Sequence, residues 1–405
     1  MPGWMGRLKV RALVVIAKVY RFLLLPRVHV ITVTGSCGKT TAKDAIHHVL
    51  SSKYGGIKTR QSLNSLASHL NAVLRTRPWH RFCVLEAGIF TRGQLHDMIQ
   101  AIRPDIGVVL TVGYDHYSEF HGPEAVAAEK VQVVTRLANN GLAVLNADDP
   151  FVSAMAEKTG AKVVMYGRSD RAELRVENVA SRWPERLSFD VVSGSERCHV
   201  QTRFCGEFWV AALLPAIACG MRLGMSLEEA ATALTTLEPT YQRMFPVTMP
   251  DGVSYILDDW KASYWTLDYA INFMVEARAS KKIMVLGSVA DHSGSAERIY
   301  RRLVRKTSPV VDVMIITGSK IRFARNAPKG SPLNNVLLVP EIKDVADILR
   351  RESTPGSLVM LKGTTKLDHL IRLFHNHEKP ISCWRTDCRI NFHCRPCPEL
   401  YRRET

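Results

Sequence analysis

The sequence predicts an α/β protein whose main sheet is mostly parallel, and three observations carry that reading. Short β-branched runs alternate with helix-favouring stretches along most of the 405 residues, the pattern of strands joined by crossover helices. One run, Val30-Ile31-Thr32-Val33-Thr34, leads through a glycine-bounded turn, Gly35 to Gly38, into Lys39-Thr40-Thr41 and a helix-favouring segment, Ala42 to Leu50. A second α/β rhythm opens near Tyr255, after a β-rich and then a helical stretch, which sets a domain boundary near residue 245.

Composition bounds the answer. With 46% hydrophobic and 23% charged residues the chain is globular, with room for two or three domains of the usual ~100–200 residues. Lys+Arg 54 against Asp+Glu 38 gives a net charge of +16. Such an excess favours nucleotides, anionic substrates, a membrane face or nucleic acid. No basic region with heptads and no RNP-like aromatic pattern is present, so no specific nucleic-acid partner is expected.

Residues 1–28 are basic and apolar, with Lys9, Arg11, Lys18, Arg21 and Arg27 interrupting the apolar positions. The run is too short and too charged to span a bilayer, and no small-residue cleavage site follows. A helix lying on an anionic membrane and a helix docked on its own domain are the two readings. The expected location is cytoplasmic, with the inner membrane face as the contact on the first of these two readings.

The turn Gly35-Ser36-Cys37-Gly38 is shaped to hold phosphates. Its glycines let backbone N–H groups turn inward, and the following helix adds its N-terminal partial charge. Lys39 can reach the outer phosphates and the Thr40 hydroxyl can sit on Mg²⁺. The general pattern wants a glycine where Val33 stands. Further strands are predicted at Phe82–Glu86, Asp105–Thr111 and Gly141–Asn146, with helix from Pro123 to Leu137. Ligands bind beyond the carboxyl ends of such strands, where Glu86 and the turn Thr111 to His116 fall. Helices follow at Ala212–Leu223 and Leu227–Leu237, then strands at Tyr255–Asp259, Ile283–Gly287, Val313–Gly318 and Ser357–Gly363.

In this order the motifs resemble the Mur ligase family of ATP-dependent carboxylate–amine ligases, most nearly its D-alanyl-D-alanine-adding members, over about residues 30 to 375. Thr34-Gly35-Ser36-Cys37-Gly38-Lys39-Thr40-Thr41 is similar to the family's Thr-Gly-x-x-Gly-Lys-Thr-Thr. Glu86-Ala87-Gly88 is similar to Glu-Met-Gly, whose Glu is a magnesium ligand. His116 stands near the family's magnesium-binding His, although the Asn of its Thr-Asn-Ile is absent. Ala127-Ala128-Glu129-Lys130 falls on Ala-x-x-Lys, whose carbamylated Lys helps hold a second magnesium. Asn64 takes the place of an Asn near substrate and γ-phosphate. Gln242-Arg243-Met244 resembles Gly-Arg-Met, whose Arg faces the ATP phosphates, and Asp258 would take an acidic role near the ribose. The resemblance implies a P-loop central domain over 29–245 and a smaller Rossmann-like domain over 246–378.

Three departures bear on the substrate. Only about thirty residues precede the loop, so the family's N-terminal UDP-sugar domain is expected to be lacking. Gly206-Glu207-Phe208-Trp209-Val210-Ala211-Ala212 replaces Gly-x-His-Asn-x-x-Asn, which removes polar groups expected near the adenine. Ser288 replaces the Asp of Gly-Asp-Met, and Trp260, Tyr264 and Trp265 crowd the Asp258 segment. The implied reaction joins an acid to an amine through an acyl phosphate, with ATP and Mg²⁺. The acid is an amino acid, a peptide, a poly-glutamyl chain or a cell-wall precursor, the last with a partner subunit supplying an amide donor. A nucleotide-binding scaffold or regulatory protein that no longer ligates is the alternative.

Cysteines carry a separate signal. Cys37, Cys83, Cys205 and Cys219 are scattered, as free thiols are. Cys383, Cys388, Cys394 and Cys397 crowd the tail over 379–405, with His377 and His393 nearby. Four soft ligands with one Cys-x-x-Cys pair suit structural zinc; a basic tail without metal and disulfides are the other readings.

Overall fold

The computed structural model describes residues 4–114, 117–318, 321, 334–385, 388 and 394–402, with 4–9, 117 and 118 as backbone only. The chain forms two compact units: Met1–Ala180, Ser188–Arg203 and Glu207–Glu238 in the first, Ser181–Leu187, Phe204–Gly206 and Pro239–Thr405 in the second.

The first unit opens with α1 (Trp4–Leu24), β1 (His29–Thr34), α2 (Lys39–Ser51), β2 (Gly56–Lys58), α3 (Leu66–Arg75), β3 (Phe82–Glu86), α4 (Gln94–Ile102) and β4 (Ile106–Val109). Then follow α5 (Tyr117–Phe120), α6 (Pro123–Lys130), α7 (Gln132–Thr135), β5 (Leu142–Asn146), α8 (Pro150–Ser153), β6 (Lys162–Gly167), β7 (Leu174–Ala180), β8 (Ser188–Ser193), β9 (Glu196–Gln201), α9 (Val210–Arg222) and α10 (Leu227–Leu234). The strands form one nine-stranded sheet in the order β2-β3-β1-β4-β5-β6-β7-β8-β9. It is parallel from β2 to β7 and antiparallel beyond. Strands β3, β4 and β5 are buried at every position, as expected where helices cover both faces. Register places Val33 beside Glu86 and Thr34 beside Val109. The strand order reverses across β1, so the crevice beyond its carboxyl end is where such sheets take ligands.

The second unit contains β10 (Phe245–Thr248), β11 (Ser254–Asp258), α11 (Leu267–Glu276), β12 (Lys281–Leu286), α12 (Ala296–Thr307), β13 (Val313–Thr317), β14 (Val336–Val339), α13 (Ile342–Glu352), β15 (Ser357–Lys362) and α14 (Ile371–Glu378). Its six strands run β10-β11-β15-β12-β13-β14, all parallel except the β10–β11 pair. Tyr255, Leu257, Val285, Ile315, Val359 and Phe374 anchor one core face. One sequence expectation needs adjustment: the helical run from Pro123 to Leu137 breaks at Val131 into α6 and α7. The β-rich stretch forms β7–β9, an antiparallel extension of the first sheet.

Candidate active site

The phosphate turn is held rigidly by its neighbours. Ser36 N–H donates to the Thr111 carbonyl at 2.8 Å, Cys37 N–H to Thr111 Oγ1 at 3.2 Å, and Gly113 N–H to Ser36 Oγ at 2.9 Å. Thr34 Oγ1 donates to the Ala87 carbonyl at 3.0 Å. Gly38 caps α2 at φ 79, a left-handed conformation that favours glycine; a Cβ there would stand 3.2 Å from Ala212 Cβ. Gly35 leaves less room, since its Cβ would meet Leu110 Cβ at 2.9 Å. Lys39 Nζ donates to the Gly35 carbonyl at 2.6 Å, so its ammonium already lies over the loop where phosphate oxygens would gather.

Glu86, at the end of β3, is 2% exposed. Thr40 Oγ1 donates to its Oε1 at 3.1 Å, and Lys43 Nζ reaches its Oε2 at 3.3 Å. Thr40 and Lys43 are three apart on α2, so they share one helix face. Lys43 is fully buried and also donates to the Gln61 carbonyl. The backbone of Glu86 is fixed as well: its N–H donates to Thr59 Oγ1 at 3.2 Å, and His69 Nε2 lies 2.6 Å from its carbonyl. Burial pushes the His69 imidazole down to about 4, so the ring is neutral there. Two residues on, a Cβ at Gly88 would lie 2.4 Å from Asn64 Nδ2; only glycine lets the Asn64 amide rest in this place.

Lys130 ends α6 and is fully buried. The preceding Glu129 accepts from the N–H groups of Gly93 at 3.0 Å and Leu95 at 2.9 Å, which satisfies donors at the start of α4. Asp149 accepts from Val112 N–H at 2.7 Å and so steadies the turn after β4. His116 lies outside the described residues. Where polar groups are missing from the Gly206–Ala212 segment, the Phe208 and Trp209 rings lie with centroids 4.8 Å apart, tilted by 42°.

In the second unit Asp258 ends β11 beside Lys362 of β15, whose Nζ donates to its Oδ2 at 2.5 Å. Its neighbour Asp259 is fully buried and accepts from Gln242 Nε2 at 3.0 Å and from the first amide of α14, Ile371 N–H, at 2.8 Å. Burial raises the Asp259 carboxyl to about 7. Arg243 sits between Gln242 (φ 60) and Met244 (φ 50), two non-glycine residues in left-handed backbone. Such geometry persists only where surroundings enforce it, and the buried Gln242 side chain supplies the enforcement through Asp259 and Thr365. The Arg243 guanidinium lies 5.7 Å from the Trp260 ring centre. Ser288 is not left idle: its N–H and Oγ both donate to Asp368, each at 2.7 Å.

Comparison with known proteins decides the family. Residues 33–220 match the Mur ligase middle domain. A UDP-N-acetylmuramoyl-tripeptide–D-alanyl-D-alanine ligase of Mycobacterium tuberculosis is 33% identical over 359 residues, covering 83% of this chain and 70% of the relative. The chain belongs to the Mur ligase family. The ligase of the same name from Bacillus subtilis is 26% identical over 366 residues, covering 89% of this chain and 78% of the relative. The fold of this Mur ligase is that of MurF from Acinetobacter baumannii, at TM-score 0.80, 20% identity and coverage of 91% and 80%. It is likewise that of a Thermotoga maritima MurF solved with ADP, at 0.78, 18%, 92% and 83%.

Among the residues expected from sequence, this Mur ligase brings Gly35–Thr41, Glu86 and Asn64 to one end of β1 and β3. Asp258 and Arg243 lie in the second unit. Lys43, His69, Asp149 and Asp368 were not singled out by sequence, and Gln242 only as the neighbour of Arg243. The i+3 spacing of Lys43 from Thr40 did not by itself mark it, because the acid it meets is 43 residues away.

Proposed function

We propose that this Mur ligase uses ATP to join a carboxylate to an amine through an acyl phosphate. The observation that carries the reading is the turn Gly35–Gly38 opening α2, with Lys39 over the loop and the Thr40–Glu86 pair beside it. The relatives' names supply the substrate class: a peptide-type acid and an amine of the D-alanyl-D-alanine kind. In this reading Gly35, Ser36, Cys37, Gly38 and Thr41 enclose the phosphates, with the N–H groups that open α2 as donors, while the Ser36 and Cys37 N–H groups stay on Thr111 and shape the turn. Lys39 neutralises the transferring phosphoryl and Asn64 orients the acid; for Arg243 and Asp258, in the second unit, the resemblance implies roles toward phosphate and ribose. The oxygens of Thr40 and Glu86, 3.1 Å apart, are hard donors that fit Mg²⁺. With His116 they would hold it, and a carbamylated Lys130 would help hold a second. When bound it would offset the negative charge of the phosphates and the acid. No observation favours a scaffold that no longer ligates. The test is ADP release across candidate acids and amines, with product mass. Release that requires both partners supports the proposal; tight ATP binding with no release under any mixture rejects it.

The tail is proposed as a structural zinc site. Cys383, Cys388, Cys394 and Cys397 line one cavity of about 20 Å³ with His369, Arg372 and Leu400, room for one ion. All four are unpaired in the structure. Among the described residues no three His, Cys, Asp or Glu side chains stand in metal-holding geometry, so zinc would have to draw the thiols inward. Absence of zinc by elemental analysis, with all four thiols titrating freely, rejects the site.

A further inference from the structure

The first helix packs one face and leaves the other bare. Ala17 is buried in a core cluster with Leu25, Val28 and Leu70, and Leu13, Val14 and Tyr20 pack against it. Tyr20 hydroxyl donates to the Thr76 carbonyl at 2.7 Å, and Arg21 pairs with Asp105 at 3.0 Å. Those contacts dock α1 on its own unit. The opposite face is apolar and open: Val15 is 60% exposed, Val19 51%, Phe22 81% and Leu23 64%. Spacings of i, i+4 and i+7 put Val15, Val19 and Phe22 on one stripe. Arg11 and Lys18, both exposed, interleave with Val15 and Phe22 at steps of four, three and four along its border. Half of the large exposed apolar side chains among the described residues lie between Val10 and Leu24.

We infer that this face docks on an anionic lipid surface. Charge selects the occupant. No Asp or Glu occurs before Asp44, while Arg7, Lys9, Arg11, Lys18, Arg21 and Arg27 fall in the first 28 residues. A second copy of the chain would bring two such uniformly basic segments together and repel. An acidic headgroup layer attracts them, and the apolar stripe enters the acyl boundary beneath. A second element extends the surface. Trp79 is 75% exposed just beyond Thr76, the residue that Tyr20 holds, and Arg75, Arg77 and Arg81 around it are exposed. Tryptophan with arginine is the composition of a membrane–water interface. No helix among the described residues is long and apolar enough to cross a membrane, so α1 lies on the surface.

The test is co-sedimentation of the full chain with vesicles of equal parts phosphatidylglycerol and phosphatidylcholine, against phosphatidylcholine alone, at low and high salt. The wild type sediments with the anionic vesicles at low salt, releases at high salt and ignores the neutral ones. Val19→Glu with Phe22→Glu, at exposed positions and with unchanged thermal unfolding, weakens binding at least about tenfold, and Arg11→Glu with Lys18→Glu weakens it by a similar factor. Failure of the wild type to bind anionic vesicles, or equal binding by both double variants, overturns the inference. So does a dimer that Phe22→Glu dissolves without any vesicle binding, which would assign the face to a second copy.

Discussion

Replacing Lys43 by methionine tests whether the acid at the end of β3 is held as a charge. The Lys43 ammonium lies 3.3 Å from Glu86 Oε2, with the two side chains 0% and 2% exposed. At an effective dielectric of about 20 that separation corresponds to roughly 5 kcal/mol of attraction. Asp44, at 3.6 Å from the same ammonium, is also bound to Lys58 at 2.7 Å and keeps a partner. Breaking a buried pair by removing one member typically costs ~3–5 kcal/mol, because the other charge stays buried. Lys43→Met is therefore expected to lower urea-unfolding stability by about 3–5 kcal/mol. Adding Glu86→Gln is expected to recover most of that loss, because no uncompensated carboxylate then remains. Millimolar Mg²⁺ should stabilise Lys43→Met more than wild type, since a cation at Glu86 and Thr40 replaces the missing charge. A Lys43→Met protein within about 0.5 kcal/mol of wild type, or strictly additive losses in the double variant, refutes the reasoning.

Gly38→Ala places a Cβ in left-handed backbone 3.2 Å from Ala212, so a fluorescent ADP analogue should bind at least about tenfold more weakly, with stability lower by ~1–2 kcal/mol. Lys130→Ala should lower ADP release, while Lys130→Glu, which restores an anionic oxygen, should keep part of it; full activity in Lys130→Ala removes the carbamate role. Asp259, raised to about 7 by burial, binds more protons folded than unfolded between pH ~4 and ~7, so it makes stability fall as pH rises through that window. Asp259→Asn should lose that fall, and its stability relative to wild type should climb from pH ~4 to ~7; a flat difference contradicts the burial account.

The phosphate turn and Glu86 were legible because local spacing defines them: a glycine turn between strand and helix, and an acid closing an apolar run. Lys43 was not, because a lysine on a helix ordinarily faces water, and the acid that holds it lies 43 residues away. Asp258 and Asp259 are neighbours with opposite fates. Sequence allows either to cap a helix, and the structure gives that task to Asp259, whose carboxylate accepts the first amide of α14. Ser288 read as a lost acid, yet Asp368 supplies a carboxylate to its hydroxyl from 80 residues along the chain. Such pairings depend on which strands become neighbours, and composition and periodicity do not encode them. For α1 the two readings describe two faces: contacts show the docked one, and the lipid-facing one is the inference above.

The central claim is that phosphoryl passes from the triphosphate held at Gly35–Thr41 to the acid before the amine attacks. Labelling the carboxylate of the accepted acid with oxygen-18 and reading the mass of the released phosphate tests it directly. An acyl phosphate leaves one labelled oxygen in the phosphate when the amine displaces it. Unlabelled phosphate, formed alongside the amide product, would contradict the account.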